Sequence, residues 1–203
     1  MFLKHVFVTL LTLGSFLLTP VLAFPGDSDS EDSLPPSAGL SPLLKTLQRI
    51  EISGIKLDRT LTTSEITAET LQTIRQLTDE IEGIVAQATT EAHALDVLDP
   101  FRSSKLTKSA LPMKPVLGHL LNVIVDVKEE ICAADFCQDM QDFLTWMRIH
   151  CHELAESLRG ILQFGDGKLI EICADLVDKQ YALTITQYEK IIRSGKGKDK
   201  MDD

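Results

Sequence analysis

Apolar residues recur along this chain every three or four positions, the spacing that keeps them on one face of an α-helix. The first run follows Ser41-Pro42, a capping residue and a proline, and uses Leu43, Leu47, Ile50, Leu57 and Leu61. Gly54 weakens its middle and marks a place for a bend. The strongest run opens at Ser64. Leu71, Ile74, Thr78, Ile81, Val85, Ala88, Ala92 and Leu95 alternate steps of three and four, with Leu77 and Ile84 widening the stripe. This predicts an amphipathic helix of about thirty residues, in the range of bundle helices.

Asp99-Pro100 again reads as a cap and first-turn proline, opening a short helix over 101–110 that Pro112 and Pro115 end. From Val116 onward, Leu117, Leu120, Leu121, Ile124, Val127 and Ile131 form a face that Val123 and Val125 broaden, so burial on several sides is expected. His119 on this face reads as a core or boundary histidine. Residues 131–162 hold three of the four cysteines and the one tryptophan. Asp135 fits as the cap of a helix beginning at Phe136, with Gln138 in the capping-box position. Phe136, Met140, Phe143, Met147, Leu154, Leu158 and Ile161 then share one face, with Trp146 beside it. Gly165-Asp166-Gly167 reads as a break, and a last helix uses Leu169, Ile172, Cys173, Leu176, Leu183, Tyr188 and Ile191. No strand period occurs. The expected fold is an all-α, up-and-down bundle of five or six amphipathic helices over 40–193.

The ends differ in composition from the middle. Lys4 and His5 precede an apolar run over 6–18, a Thr19-Pro20 break and the small or aliphatic residues of 21–23. That order predicts a secretory signal peptide over 1–23, too short to span a bilayer. Residues 24–39 are acidic and broken by Pro and Gly, and are expected to form a flexible leader. Their Asp27, Asp29 and Glu31 lack the glycine and the final glutamate of a calcium loop. Residues 194–203 are expected to be a disordered charged tail with no lipid-anchor signal. Thirty acidic residues against 20 basic ones give a net charge of -10, which argues against nucleic acid or anionic membrane partners. The expected localisation is secreted and extracellular, with association to a cell wall left open.

Four cysteines in a secreted chain point to disulfides. Cys132 and Cys137 flank a tight turn and suit a bridge. Cys151 and Cys173 either pair by default or remain buried thiols, because a hairpin about Gly165 offsets them by roughly 10 Å at 1.5 Å per residue. Cys132, Cys137 and His150 match three ligands of a zinc finger by spacing, but the fourth ligand and the strands are missing, so no metal is assigned. His152-Glu153 lacks the second histidine of a metalloprotease helix. No nucleophile elbow or phosphate-binding glycine loop is present. No catalytic residue and no cofactor is assigned, and a non-enzymatic role is expected. What remains is the apolar inventory. Leu120, Ile124, Phe136, Met140, Phe143, Trp146 and Met147 are the candidate lining of a site for a lipid or another apolar small molecule, since methionines adapt to irregular apolar partners.

The segments ISGIKLDRTL, AETLQTIRQLTDEI…VAQAT, LPMKPVLGHLLNVIVDVKEEI and LVDKQYALTITQYEKI together resemble the fungal hydrophobic surface-binding protein A family, also called cell-wall galactomannoproteins. The resemblance covers residues 43–192 and rests on periodic apolar positions and element order. It implies a secreted or wall-associated helical protein that binds hydrophobic surfaces or lipids such as fatty acids, and no catalytic residues. The four cysteines depart from the family pattern, and the chain has no Ser/Thr-rich wall-anchoring end. The alternative is a secreted helical effector or enzyme inhibitor acting through a protein partner. Plant invertase and pectin-methylesterase inhibitors are secreted four-helix bundles with four cysteines. Their first disulfide, however, lies in an N-terminal hairpin, where this chain has no cysteine.

Overall fold

The computed structural model describes residues 39–198, so the expected signal peptide, nearly all of the leader and the last residues of the tail lie outside it. Within that span the chain forms α1 (Leu40–Thr63), α2 (Ala68–His93), α3 (Pro100–Ala110), α4 (Met113–Asp126), α5 (Lys128–Ala133), α6 (Cys137–Ile161) and α7 (Phe164–Lys198), with no strand among the described residues. The all-α expectation holds. Only Val127 separates α4 from α5, so counted together they leave six helices among the described residues, five long ones and the short α3.

Side-chain pairs fix the helix directions. Arg49 reaches Gln87 and Ser53 reaches Glu80, each at 3.1 Å, so α1 and α2 are antiparallel. Arg148 pairs with Asp178 and Arg159 with Glu171, so α6 and α7 are antiparallel. Arg75 pairs with Asp139, and Ser157 meets His93, so α2 and α6 run parallel. Gly54 beside Val116 and Asp58 bonded to His119 set α1 parallel to α4, and Gly118 beside Gln180 with the Tyr188 hydroxyl donating to the Ile124 carbonyl set α4 parallel to α7. Along the chain the long helices thus run up, down, up, down, up. In space they close a circuit, α1 to α2 to α6 to α7 to α4 and back to α1. The crossing helix α3 packs on α1 and α7 at the end where α4 begins.

Each apolar stripe turns into this circuit. On α2 the buried residues are Ile74, Thr78, Ile81, Ile84, Val85, Ala88 and Ala92, the face expected from the period. Leu117, Leu120, Leu121 and Ile124 are the buried face of α4, while Val123 and Val125 are half-buried. His119 is on the outside of α4: its ring is largely exposed and bonds Asp58 at 2.8 Å, so the core reading of this residue is corrected. The apolar neighbours 117, 120, 121 and 124 suggested burial, but position 119 points away from them at about 100° per residue.

The helix ends correct several boundaries. Gly39 is the N-cap of α1, leaving Ser41 and Pro42 inside the first turn. Proline is tolerated there because the first N–H groups lack intrahelical partners, so it does not fix the start to one residue. Thr67, rather than Ser64, caps α2, its Oγ1 accepting from the Thr70 amide at 3.2 Å. Pro115 likewise falls in the first turn of α4, which starts at Met113. Asp135 does not cap α6. Its φ of 58° is left-handed, and the Asp135 and Phe136 amides donate back to the Cys132 and Ile131 carbonyls at 3.2 and 3.1 Å. This double bond pattern ends α5, with Ile131 and Phe136 both buried against the turn. The Cys132–Cys137 disulfide spans the same turn, with Cα atoms 4.3 Å apart, as the spacing suggested.

The α6–α7 link is tighter than the two glycines implied. Only Leu162 and Gln163 separate the helices, and Gly165 and Gly167 lie in the first turns of α7. A side chain at Gly167 would place its Cβ 3.3 Å from the Arg159 carbonyl oxygen, so glycine lets the two backbones approach. The face of α7 is the largest correction. Ile170, Val177, Tyr181, Thr184 and Tyr188 are buried, whereas Leu169, Ile172, Leu176 and Leu183 are 40%, 49%, 43% and 67% exposed. Two apolar rows run along this helix, and the row carrying both tyrosines is the one that packs. The backbone of α7 also continues helical to Lys198, past the Ser194 at which a tail was expected.

The rotated face of α7 yields a stability test. Ile170→Ala should cost about 2–5 kcal/mol, because a buried side chain is removed and a void left. Leu176→Ala should stay within about 0.5 kcal/mol. Urea unfolding followed by circular dichroism measures both, and comparable losses would contradict the assigned face.

Candidate ligand-binding cleft

The buried face of α6 changes in side-chain size along its length. From Met140 through Phe143, Leu144 and Met147 it is bulky, and these residues are nearly or wholly inaccessible. Beyond Met147 the half-buried Cys151 and Ala155 lie beside the buried Leu154, Leu158 and Ile161. Facing them, α7 contributes Cys173 and Ala174, with Tyr181 bordering the same space and Tyr188 farther along. Where small groups face small groups, the helices leave a cleft with a cavity volume of about 80 Å³. Ile50 and Val85 close its inner side, and Leu117, Leu154, Leu158, Ile170 and Val177 form its walls. Ala110, Leu111 and Met113, where α3 turns into α4, border one side.

The position of α3 depends on the α6–α7 turn. The Leu98 amide donates to the Ile161 carbonyl at 2.8 Å, and Gln163 Nε2 donates to the Leu98 carbonyl at 2.5 Å. Ser103, fully buried, accepts from the Gln163 amide at 2.9 Å and donates to Asp166 at 2.5 Å. These bonds satisfy polar groups that burial would otherwise leave costly, and they fix the start of α3 against the turn.

Polar groups gather on the solvent side of the cleft. Arg148 donates to Asp178 through Nε at 2.6 Å and through Nη2 at 3.0 Å, a two-pronged pair linking α6 to α7. The bond to Arg148 holds the Asp178 carboxyl below its usual range. His152 and Lys114, both exposed, complete this rim. Deeper in, burial pushes the Cys151 thiol up to about 12, so it stays protonated and behaves as a small apolar group. The buried Tyr181 hydroxyl is likewise held well above its ordinary value, chiefly by burial.

The sequence candidates occupy the other end of the bundle. Leu120, Ile124, Phe136, Met140, Phe143 and Met147 are core residues, and none of them borders this cleft. Phe136 lies under Arg75, whose guanidinium carbon is 5.1 Å from the ring centroid. Trp146 is half-buried and stacks on His150 at 3.9 Å between centroids. On α6 the bulky residues fill the interior, and the cleft lies beside the smaller ones. Cys151 and Cys173 are free thiols. The short link brings them level, since Cys151 lies eleven residues before Leu162 and Cys173 ten after Gln163. The offset expected from a turn at Gly165 is therefore absent.

The zinc-finger spacing has no geometry behind it. The Cys132 and Cys137 sulfurs are bonded to each other, and His150 Nδ1 meets Glu153 at 2.6 Å. No group of three or more potential metal ligands converges among the described residues. Ser157 Oγ lies 3.0 Å from His93 Nε2, but it also donates to the Glu153 carbonyl at 2.8 Å. With its one proton committed there, the hydroxyl accepts from His93, which is the reverse of nucleophile activation.

The Arg148–Asp178 pair carries a pH signature. Because the folded pKa of Asp178 is lowered, the pair contributes above the unfolded carboxylate value of about 3.9 and is lost as pH falls through the lower folded value. Both partners are partly exposed, so Arg148→Ala should cost no more than about 1 kcal/mol at neutral pH. Urea unfolding from pH 7 down to 2 should show that difference vanish at the acid end. A difference that persists there would contradict the assignment.

No family model matches the chain, and no curated protein matches it in sequence. Solved structures match its fold. AfMP4p in complex with palmitic acid aligns at a TM-score of 0.71 and 19% identity, covering 73% of this chain and 99% of that one. Ligand-binding domain 2 of the Penicillium marneffei MP1 protein, in complex with arachidonic acids, aligns at 0.68 and 11% identity over 77% of this chain and 96% of that domain. Domain 1 of the same protein, also complexed with arachidonic acids, aligns at 0.67 and 11% identity over 74% and 98%. At these identities the likeness is one of fold: this chain shares its helical architecture with proteins solved in complex with fatty acids.

Proposed function

We propose that this protein binds a long-chain fatty acid or a similar single-chain lipid, with the acyl chain in the cleft between α4, α6 and α7. The observation that carries the reading is the apolar-walled cleft, bounded by Cys151, Ala155, Cys173 and Ala174. It is supported by the shared fold of proteins described with palmitic and arachidonic acids. The role we infer is non-enzymatic, with binding by burial against apolar walls. We take the protein to be secreted, on the strength of the residues 1–23 pattern and the Cys132–Cys137 disulfide.

Volume makes this reading specific. Sites for ligands of drug size hold roughly 300–1,000 Å³. A cleft of about 80 Å³ must therefore widen to take a long chain. The walls that part are those of α6 and α7, where small side chains leave little packing to lose.

Binding of palmitate by isothermal titration is the test. The wild-type protein should bind it, and Ala174→Phe, which fills the cleft with a ring, should weaken binding at least tenfold while the helical signal is unchanged. Unaltered affinity in that variant would place the lipid elsewhere.

A second reading, adsorption to a hydrophobic surface, is favoured by the exposed row Leu169, Ile172, Leu176 and Leu183. At about 100° per residue these four fall within about 60° of one another, a continuous apolar strip of the kind that marks contact surfaces. The double variant Leu176→Asp, Leu183→Asp should lose retention on octyl-coated beads and keep palmitate binding within twofold. Retention equal to wild type would remove this reading.

A further inference from the structure

We infer that Lys114 anchors the ligand's carboxylate, so that the cleft selects a lipid bearing one negative charge; this rests on the lipid reading of the cleft. The argument begins from which cations border the cleft and which of them are spent. Arg148, Lys114 and His152 are the basic residues among its lining. Arg148 gives two donors to the two oxygens of Asp178, so its charge is largely neutralised in place. His152 acts on the same carboxylate. Lys114 has no ion-pair or hydrogen-bond partner among the described residues for its side chain. It is the cation left over.

Its location suits an end group. Lys114 is exposed on the second residue of α4, while its neighbours Met113 and Leu117 border the same cleft and are half-buried and buried. The walls grow more buried inward, from Lys114 and His152 at the rim to Val85, Leu158 and Ile170 inside. An acyl chain lying along that gradient keeps its apolar end among Val85, Leu158 and Ile170. Its polar end then meets Lys114, whose flexible stem can follow the head group while keeping the ammonium in water.

Charge count defines the class. Among the rim's lysine, arginine and carboxylate groups, Lys114, Arg148 and Asp178 sum to one positive charge against a chain total of -10. A positive rim on an acidic protein concentrates anions at that point. One unpaired ammonium matches one carboxylate. A phosphate monoester, carrying about −1.5 to −2, would leave charge unpaired and has no second free cation to use.

The test compares dodecanoate with dodecanol, which share an acyl length and differ in the head group, by isothermal titration at low ionic strength. A charged contact at an exposed site is worth about a two- to fivefold change in affinity at low ionic strength. The wild-type protein should therefore prefer dodecanoate by about that factor. Lys114→Gln should lose the preference, with dodecanol affinity kept within twofold, and Lys114→Arg should restore most of it. Raising salt should weaken dodecanoate binding and leave dodecanol unchanged. Equal affinities for the two ligands in the wild type, or a preference surviving Lys114→Gln, would overturn the anchor while leaving the lipid site intact. Failure of the wild type to bind either ligand would overturn the lipid reading and the anchor with it.

Discussion

Side-chain volume along the inner faces of α6 and α7 is the constraint from which the rest of this molecule follows. Five helices closed into a circuit enclose an interior that must be filled to about the density of an organic crystal, or else left open to something that fills it. At one end Met140, Phe143, Leu144, Met147 and Tyr188 are large and almost wholly inaccessible. At the other end Cys151, Ala155, Cys173 and Ala174 are too small to reach across. The bundle is thus solid where the aromatic residues meet and parted where the small ones do. The raised thiol pKa of Cys151 fits the same picture, since a neutral buried thiol acts as a small hydrophobe.

That arrangement holds only in one register of α6 against α7. The two-residue link sets it, Gly167 permits the close approach, and the Arg148–Asp178 pair links the helices beside the cleft. Farther along, the Tyr188 hydroxyl donates to the Ile124 carbonyl and ties α7 to α4. A slip by one residue would rotate α7 by about 100° and exchange its packed row for the exposed row of Leu169, Ile172, Leu176 and Leu183. The apolar row on the outside is therefore a consequence of which row the tyrosines occupy.

The periodic pattern was sufficient for the helices and their order, because each stripe spans several turns and a one-residue error at an end does not change it. The faces of α1, α2 and α4 were legible for that reason. The boundaries were less so: Pro42 and Pro115 are tolerated anywhere in a first turn, and Asp135 suits either a cap or a left-handed terminator. On α7 two rows compete, and hydropathy favours leucine and isoleucine over Thr184, Tyr181 and Ala174. Tertiary context decided for the tyrosines, each of which fills more interior than a leucine and whose polar tips find partners. Large residues such as Phe143 and Trp146 do not mark the cleft, because they fill or cover the interior elsewhere. The usable signal was the opposite one, a run of Cys and Ala at inward positions of two adjacent helices.

The central claim is that the lipid chain lies at the small-residue end of the bundle. Nuclear Overhauser contacts between a bound fatty acid and the labelled alanine and methionine methyl groups test it most directly. The account predicts contacts from the acyl chain to the methyls of Ala155 and Ala174, with Met140 and Met147 silent. Contacts to Met140 and Met147 without any to Ala155 or Ala174 would contradict it.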